Sequence, residues 1–250
     1  MAIARVQLFE EEDLSQYPVE DGEPMAESPL HWHQTAYCAL ALEAWFAESP
    51  NVLVASDNFI YYEQGNKRAV VSPDCYVVFG VDKRLRDSYF VWREDGHTPN
   101  VVIEITSKST RREDEIKKKQ IYAFLSVEEY YQFDPTGDYL NPRLKGSRLV
   151  NGQYVPIPVV QDRIYSPLLQ LDLVIEGETL RYINPANGMP LPTYEEQDAQ
   201  LLMATQARTE AERRAAEAER RAEIEVQART EADARIARLM AELEALRRNP

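Results

Sequence analysis

The sequence predicts an α/β fold, an α+β or α/β domain built on a mixed sheet, followed by a long C-terminal helix. Three observations predict it. Helical and β-rich patterns follow one another in the order helix, several strands, helix, strand, then a tail of short β segments. Two apolar runs, CYVVFG (75–80) and VVIEIT (101–106), read as buried strands. The composition then breaks near Pro192: beyond Tyr194 there is no Gly, no aromatic residue and no Pro until Pro250, and Ala, Glu and Arg dominate. The expected organisation is a domain over residues 1–192 and a helical tail over 193–250.

The 250 residues suffice for one domain of ordinary size and an appendage, and 44% hydrophobic residues supply its core. A net charge of −14 argues against a general DNA-coating protein, because non-specific affinity comes from Lys and Arg neutralising phosphates. It leaves room for a local basic patch. Cys38 and Cys75 follow no metal-binding spacing and sit in apolar surroundings, as reduced core cysteines of a cytoplasmic protein do. The N-terminal MAIARVQLFEEEDL is too acidic for a signal peptide, and no run reaches the ~18 apolar residues of a membrane span.

Residues 1–28 are acidic and carry Pro and Gly, the composition of an extended arm. Ser28-Pro29 is a helix start, Ser as N-cap and Pro at the first helical position. The helix is expected to run to about Ala47 and to bury Leu30, Tyr37, Leu40, Ala41, Ala44 and Trp45. A strand meander follows over 52–56 and 58–64, with a turn at 65–68 and 69–74 leading into the third strand. Residues 82–88 read as a charged loop and 89–94 as a short edge strand. VVIEIT is the central strand. Residues 107–114 cross to a helix with a periodic face at Ile116, Gln120, Ala123 and Phe124, and 128–135 returns as a strand. Short β segments fill 139–184, with turns at Asn151-Gly152 and Glu176-Gly177.

The chemistry concentrates between Ser72 and Tyr122. A central strand rarely carries an unpaired Glu, because burying a lone carboxylate costs several kcal/mol or forces it to protonate. Glu104 lies inside one strand and Asp74 at the mouth of another. If those strands are neighbours, two carboxylates converge and, with a nearby Lys, make a hard-cation site suited to phosphodiester hydrolysis. Thr106 points the same way as Glu104, so the strand brings no lysine there. Two lysines can substitute: Lys108, at the strand's end, and Lys118, on the following helix with Asp114 one turn before and Tyr122 one turn after. The competing reading of Lys117, Lys118 and Lys119 is a solvated face, and that of Glu104 a structural ion pair. His31 and His33, separated by one residue at a helix start, diverge and read as surface or packing residues.

The string PD (73–74), IEITSKST (103–110), a Lys one turn before a Tyr, and EYYQFDP (129–135) together resemble the Uma-type endonuclease family of the PD-(D/E)XK restriction-endonuclease-like superfamily. The resemblance covers roughly residues 13 to 190. It implies a restriction-endonuclease-like mixed sheet flanked by helices and a site binding Mg²⁺, or Mn²⁺, with Asp74 and Glu104 as metal ligands. It also implies that Glu27 is the superfamily's extra helix carboxylate. The sequence departs from the superfamily at Thr106, where an E-x-K motif has lysine; the resemblance carries that lysine to Lys118. The expected function is metal-dependent hydrolysis of DNA. The alternative is a catalytically silent module acting in binding or assembly.

The tail repeats itself: QARTEAERR begins at Gln206 and QARTEADAR at Gln227, three heptads on. Its possible seam is Ala211, Ala215, Ala218 and Ala222, then Ile236, Leu239, Leu243 and Leu246. The expectation is a coiled coil near its end, with homo-oligomerisation through this helix or the domain. The alternative is a single helix held by Glu/Arg pairs.

Overall fold

The computed structural model describes residues 13–19, 28–107 and 113–248. The chain divides into two units, Met1–Tyr194 and Glu195–Pro250. In the first, Ser28 caps helix α1 (Pro29–Trp45), its side chain accepting from the His31 amide at 3.2 Å, with Pro29 in the first turn. Strands β1 (Val52–Ala55), β2 (Phe59–Tyr61), β3 (Val70–Val71), β4 (Cys75–Phe79), β5 (Ser88–Phe90) and β6 (Val101–Ile105) follow. A π-helical turn (Glu113–Lys118) runs into α2 (Lys119–Phe124). Then come β7 (Glu129–Phe133), β8 (Leu144–Val150), β9 (Gln153–Ile157), β10 (Arg163–Ser166), β11 (Leu171–Glu176), β12 (Thr179–Asn184) and β13 (Met189–Pro190).

The principal sheet has six strands in the order β1-β4-β6-β7-β8-β9, with β6 and β7 parallel and the other neighbours antiparallel. It is a mixed sheet, as the order of elements predicts. The meander is not one sheet, however. β1 pairs with β4, whereas β2 lies between β3 and β5 in a second, three-stranded sheet. Only three residues separate β1 from β2, and the chain uses them to change sheets; Asp57, at positive φ, stands in this connection. The expected edge strand at 89–94 is shorter, ending at Phe90 and giving way to a 3₁₀ turn over Val91–Arg93. Strands β10 to β13 form a third, antiparallel sheet.

Alternation along β4 and β6 assigns their side chains to two cores. Cys75, Val77, Ile103 and Ile105 pack with Cys38 and Leu42 of α1 and with the third sheet. Tyr76, Val78 and Val102 pack with Tyr122 and Leu125 on the α2 side. The principal sheet therefore carries α1 on one face and α2 on the other. Both cysteines are buried and free.

The buried stripe of α1 is His31, Gln34, Thr35, Cys38, Ala39, Ala41 and Leu42, whereas Leu40 is exposed. This departs from the apolar face read from the sequence, because polar side chains take up three of the seven positions. Gln34 shows why: its side chain donates to the Leu180 carbonyl at 3.1 Å and accepts from the Leu180 amide at 3.0 Å, fixing α1 to β12. The expected face of the second helix is likewise displaced. Ile116 and Phe124 are exposed, while Tyr122 and Leu125 are buried.

In the second unit, α3 (Tyr194–Arg248) is one 55-residue helix. Ala, Glu, Arg and Leu are strong helix formers, and no Gly or Pro interrupts them. Pairs one turn apart, such as Arg208–Glu212 at 2.8 Å and Arg213–Glu217 at 2.9 Å, line its surface. Among the described residues, no helix is long and apolar enough to cross a membrane.

Candidate active site

The site forms where the backbone ladder between β4 and β6 ends. The last register pair is Cys75 with Ile103. Beyond it the Asp74 side chain takes over the ladder's role: its Oδ2 accepts from the Ile105 amide at 2.6 Å. The Asp74 amide in turn points at Glu104 Oε2, 3.5 Å away. The two acidic residues thus engage each other across the junction of neighbouring strands, on the sheet face covered by α2.

Glu104 is fully buried in β6, between β4 and β7. Its charge is met from α2. Lys118 Nζ donates to Oε2 at 2.9 Å, and Tyr122 Oη, one helical turn on, donates to Oε1 at 2.5 Å. Lys117 is exposed, and the Lys119 ammonium lies 5.8 Å from the Tyr154 ring centroid. Successive helical side chains diverge by about 100°, so one lysine of the three faces the carboxylate. Thr106 occupies the position two residues beyond Glu104, is buried, and its hydroxyl makes no hydrogen bond with the described residues. Glu27 and Lys108, and the side chain of Asp114, lie outside the described residues.

His31 is the residue that sequence reasoning set aside. It is buried on α1, with Nε2 3.4 Å from Asp74 Oδ2. Divergence from His33 is correct helix geometry, but it sends His31 inward. A signal was present: the Ser28 cap fixes the helix phase, and residues 31, 34, 35, 38 and 42 then fall on one stripe.

The electrostatics favour an ionised Asp74. Burial pushes the Asp74 carboxyl up, but the His31 hydrogen bond, the Lys118 ammonium and the Ile105 amide outweigh it and leave the group below the ordinary carboxylate range. Burial, reinforced by the charge on Glu104, holds the Tyr122 hydroxyl well above its usual value, so Tyr122 remains a donor.

Residues 5–177, more than half of the chain, match the Uma2 family, described as "Putative restriction endonuclease". The chain belongs to the Uma2 family. The matched span carries all four of Asp74, Glu104, Lys118 and Tyr122 and ends before α3. No curated protein matches this Uma2 chain. It is similar to a solved structure from Anabaena variabilis ATCC 29413 described as "a putative nuclease belonging to DUF820". The two are 12% identical with a TM-score of 0.43, over 58% of this chain and 76% of that one.

As a ligand set, the Uma2 site offers hard oxygens. Asp74 Oδ1 accepts no hydrogen bond from the described residues, whereas Oδ2 is taken by Ile105 and His31. Among the described residues, no group of three or more His, Cys, Asp or Glu is disposed to hold a metal ion. Asp74 and Glu104 could therefore supply two protein ligands, leaving the remaining coordination to water and a substrate.

Proposed function

We propose that this Uma2 chain is a divalent-metal-dependent endonuclease that hydrolyses phosphodiester bonds in DNA, with Asp74 and Glu104 as metal ligands and Lys118 as the catalytic lysine. The observation that carries the reading is the Lys118 ammonium, delivered from the end of the π turn to a fully buried Glu104 beside Asp74. A structural ion pair does not require a second carboxylate at the same point. Nor does it require a strand-end Asp with one oxygen left over.

Two carboxylates and no protein cage suit Mg²⁺ or Mn²⁺. Mg²⁺ keeps several waters and is commonly held by one or two carboxylates plus substrate phosphate oxygens. A bound divalent ion would lower the pKa of a coordinated water and offset phosphate charge. The other tasks fall to the chain. Lys118, held in place by Glu104, stabilises charge developing on the phosphate. Tyr122 keeps Glu104 oriented toward Asp74. His31 and the Ile105 amide fix Asp74 through Oδ2, which would leave Oδ1 to a bound ion. DNA follows from the family description, and Lys117, Lys118 and Lys119 follow one another in the sequence, a local run of lysines within an acidic chain.

Cleavage of supercoiled plasmid with and without Mg²⁺ tests the proposal. The wild type should nick or linearise the plasmid only with the ion, and Glu104→Gln should abolish cleavage while keeping the native circular dichroism spectrum. Equal cleavage by Glu104→Gln, or cleavage in excess chelator, would overturn it.

A further inference from the structure

We infer that α3 is the half of a parallel, two-stranded coiled coil whose other strand is a second copy of this chain. The helix leaves a seam of large side chains exposed: Ile236, Leu239 and Leu243 are each more than half exposed, as are Val226 and Met240 beside them. Ile236, Leu239 and Leu243 belong to one heptad register, which Val226 and Met240 flank. Counting in steps of three and four from Leu201, the inner positions are Ala204, Arg208, Ala211, Ala215, Ala218, Ala222, Glu225, Arg229, Ala232, Ile236, Leu239 and Leu243. Ala211, Ala215, Ala218 and Ala222 hold that phase for two heptads, Glu225 and Arg229 break its apolar character, and Ala232, Ile236, Leu239 and Leu243 resume it.

Charge identifies the occupant and its direction. In a parallel self-pair, the residue before each first inner position meets the residue five further along the partner. That rule sets Arg214 against Glu219 of the second copy and Glu242 against Arg247, and sets no like charges together. The same pairing sets Arg208, Glu225 and Arg229 each against its own copy in the seam, a cost in stability that the consecutive Glu225 and Arg229 layers reduce, because each lies beside the other's counterpart. The antiparallel alternative can also oppose Glu225 to Arg229, but it then places Arg221 against Arg235 and Glu219 against Asp233. It also packs Ile236 and Leu239 on alanines, whereas the parallel pair packs them on themselves. Like charges at such positions disfavour a partner, and polar inner residues fix register at some cost in stability. Both copies then enter the pair at Tyr194, so two nuclease-family domains are tethered at one end.

Sedimentation of the full chain at micromolar concentration, with cysteine cross-linking of two full-length variants, tests this. The wild type should sediment at twice the 28.8 kDa chain mass, and the double variant Leu239→Asp/Leu243→Asp should sediment as a monomer. Under mild oxidation Leu239→Cys should form a disulfide-linked dimer, because inner residues meet their own copies in a parallel pair. Ala241→Cys, on the outer face, should not; Cys38 and Cys75 are buried and contribute little background. A monomeric wild type, a double variant that stays dimeric, or Leu239→Cys that cross-links no better than Ala241→Cys would each overturn the inference.

Discussion

Replacing Lys118 by Met removes the ammonium 2.9 Å from Glu104 Oε2 while keeping most of the side chain's volume and apolar stem. The lysine side chain is 12% exposed and the glutamate 0%, so the pair is a buried one. At 2.9 Å and an effective dielectric of about 20, the gross attraction is about 6 kcal/mol. Much of that is consumed by desolvation in forming the pair, but removing one partner strands the other charge, and buried pairs broken in this way cost about 3–5 kcal/mol. With a urea slope of about 3 kcal/mol/M, the unfolding midpoint should fall by more than 1 M. Urea unfolding followed by circular dichroism at pH 7 measures it. Adding Glu104→Gln should recover part of the loss, since no charge is left unpaired. Mg²⁺ should raise the midpoint of Lys118→Met more than that of the wild type, because the ion supplies the missing positive charge. A Lys118→Met midpoint within 0.2 M of wild type (about 0.6 kcal/mol on that slope) would refute the claim that Glu104 is ionised and held by this lysine.

Two further outcomes are expected. Asp134→Asn should cost about 3 kcal/mol at pH 7, because Asp134 accepts from the Thr136, Gly137, Tyr139 and Leu140 amides and an amide side chain has one acceptor oxygen to offer them. Burial pushes the Asp134 carboxyl up, but the Leu140 and Tyr139 amides outweigh it and hold it below its ordinary value of 3.8; its stabilisation is therefore complete above that pH and lost as pH falls through the depressed value, so the gap between wild type and variant should close only below pH 3.8, and a gap constant down to pH 2 would contradict the assignment. His31→Ala should slow Mg²⁺-dependent plasmid cleavage by about 10- to 100-fold, the usual effect of losing a residue that orients a metal ligand; an unchanged rate would remove His31 from the site.

The parts of this structure governed by local chemistry were legible in the sequence. Ser28-Pro29 fixed a helix start, Asn151-Gly152 and Glu176-Gly177 fixed two hairpins, and the β-branched run around Glu104 marked a central strand with a carboxylate that needs partners. That carboxylate's need for partners left Lys108 and Lys118 both open as its lysine, and the family resemblance favoured Lys118. What escaped was non-local. Nothing in 52–61 says that β1 pairs with a strand twenty residues on while β2 joins another sheet, because strand pairing is decided by packing after the chain has collapsed. His31 escaped because apolar periodicity is blind to a helix face that buries polar side chains. The same blindness displaced the buried face of the second helix, where Tyr122 faces Glu104 and Phe124, the more hydrophobic residue, faces water.

The two halves of the Lys118–Glu104 pair are held by elements of very different permanence. Glu104 belongs to a strand clamped by ladders on both sides. Lys118 ends a π turn that runs without a break into the six-residue α2. Helices this short do not persist on their own; α2 stays in place through Tyr122 and Leu125 packed on the sheet. Protein segments open locally with free energies ranging from nearly zero to that of global unfolding. A local opening that parts Lys118 from Glu104 while β4, β6 and β7 stay paired would cost about 3–5 kcal/mol, that of a broken buried pair. An E-x-K strand has no such freedom, since its acid and lysine ride one backbone. Carrying the lysine on a helix turns assembly of the charge pair into a local equilibrium, one that anything binding the closed form will draw toward completion.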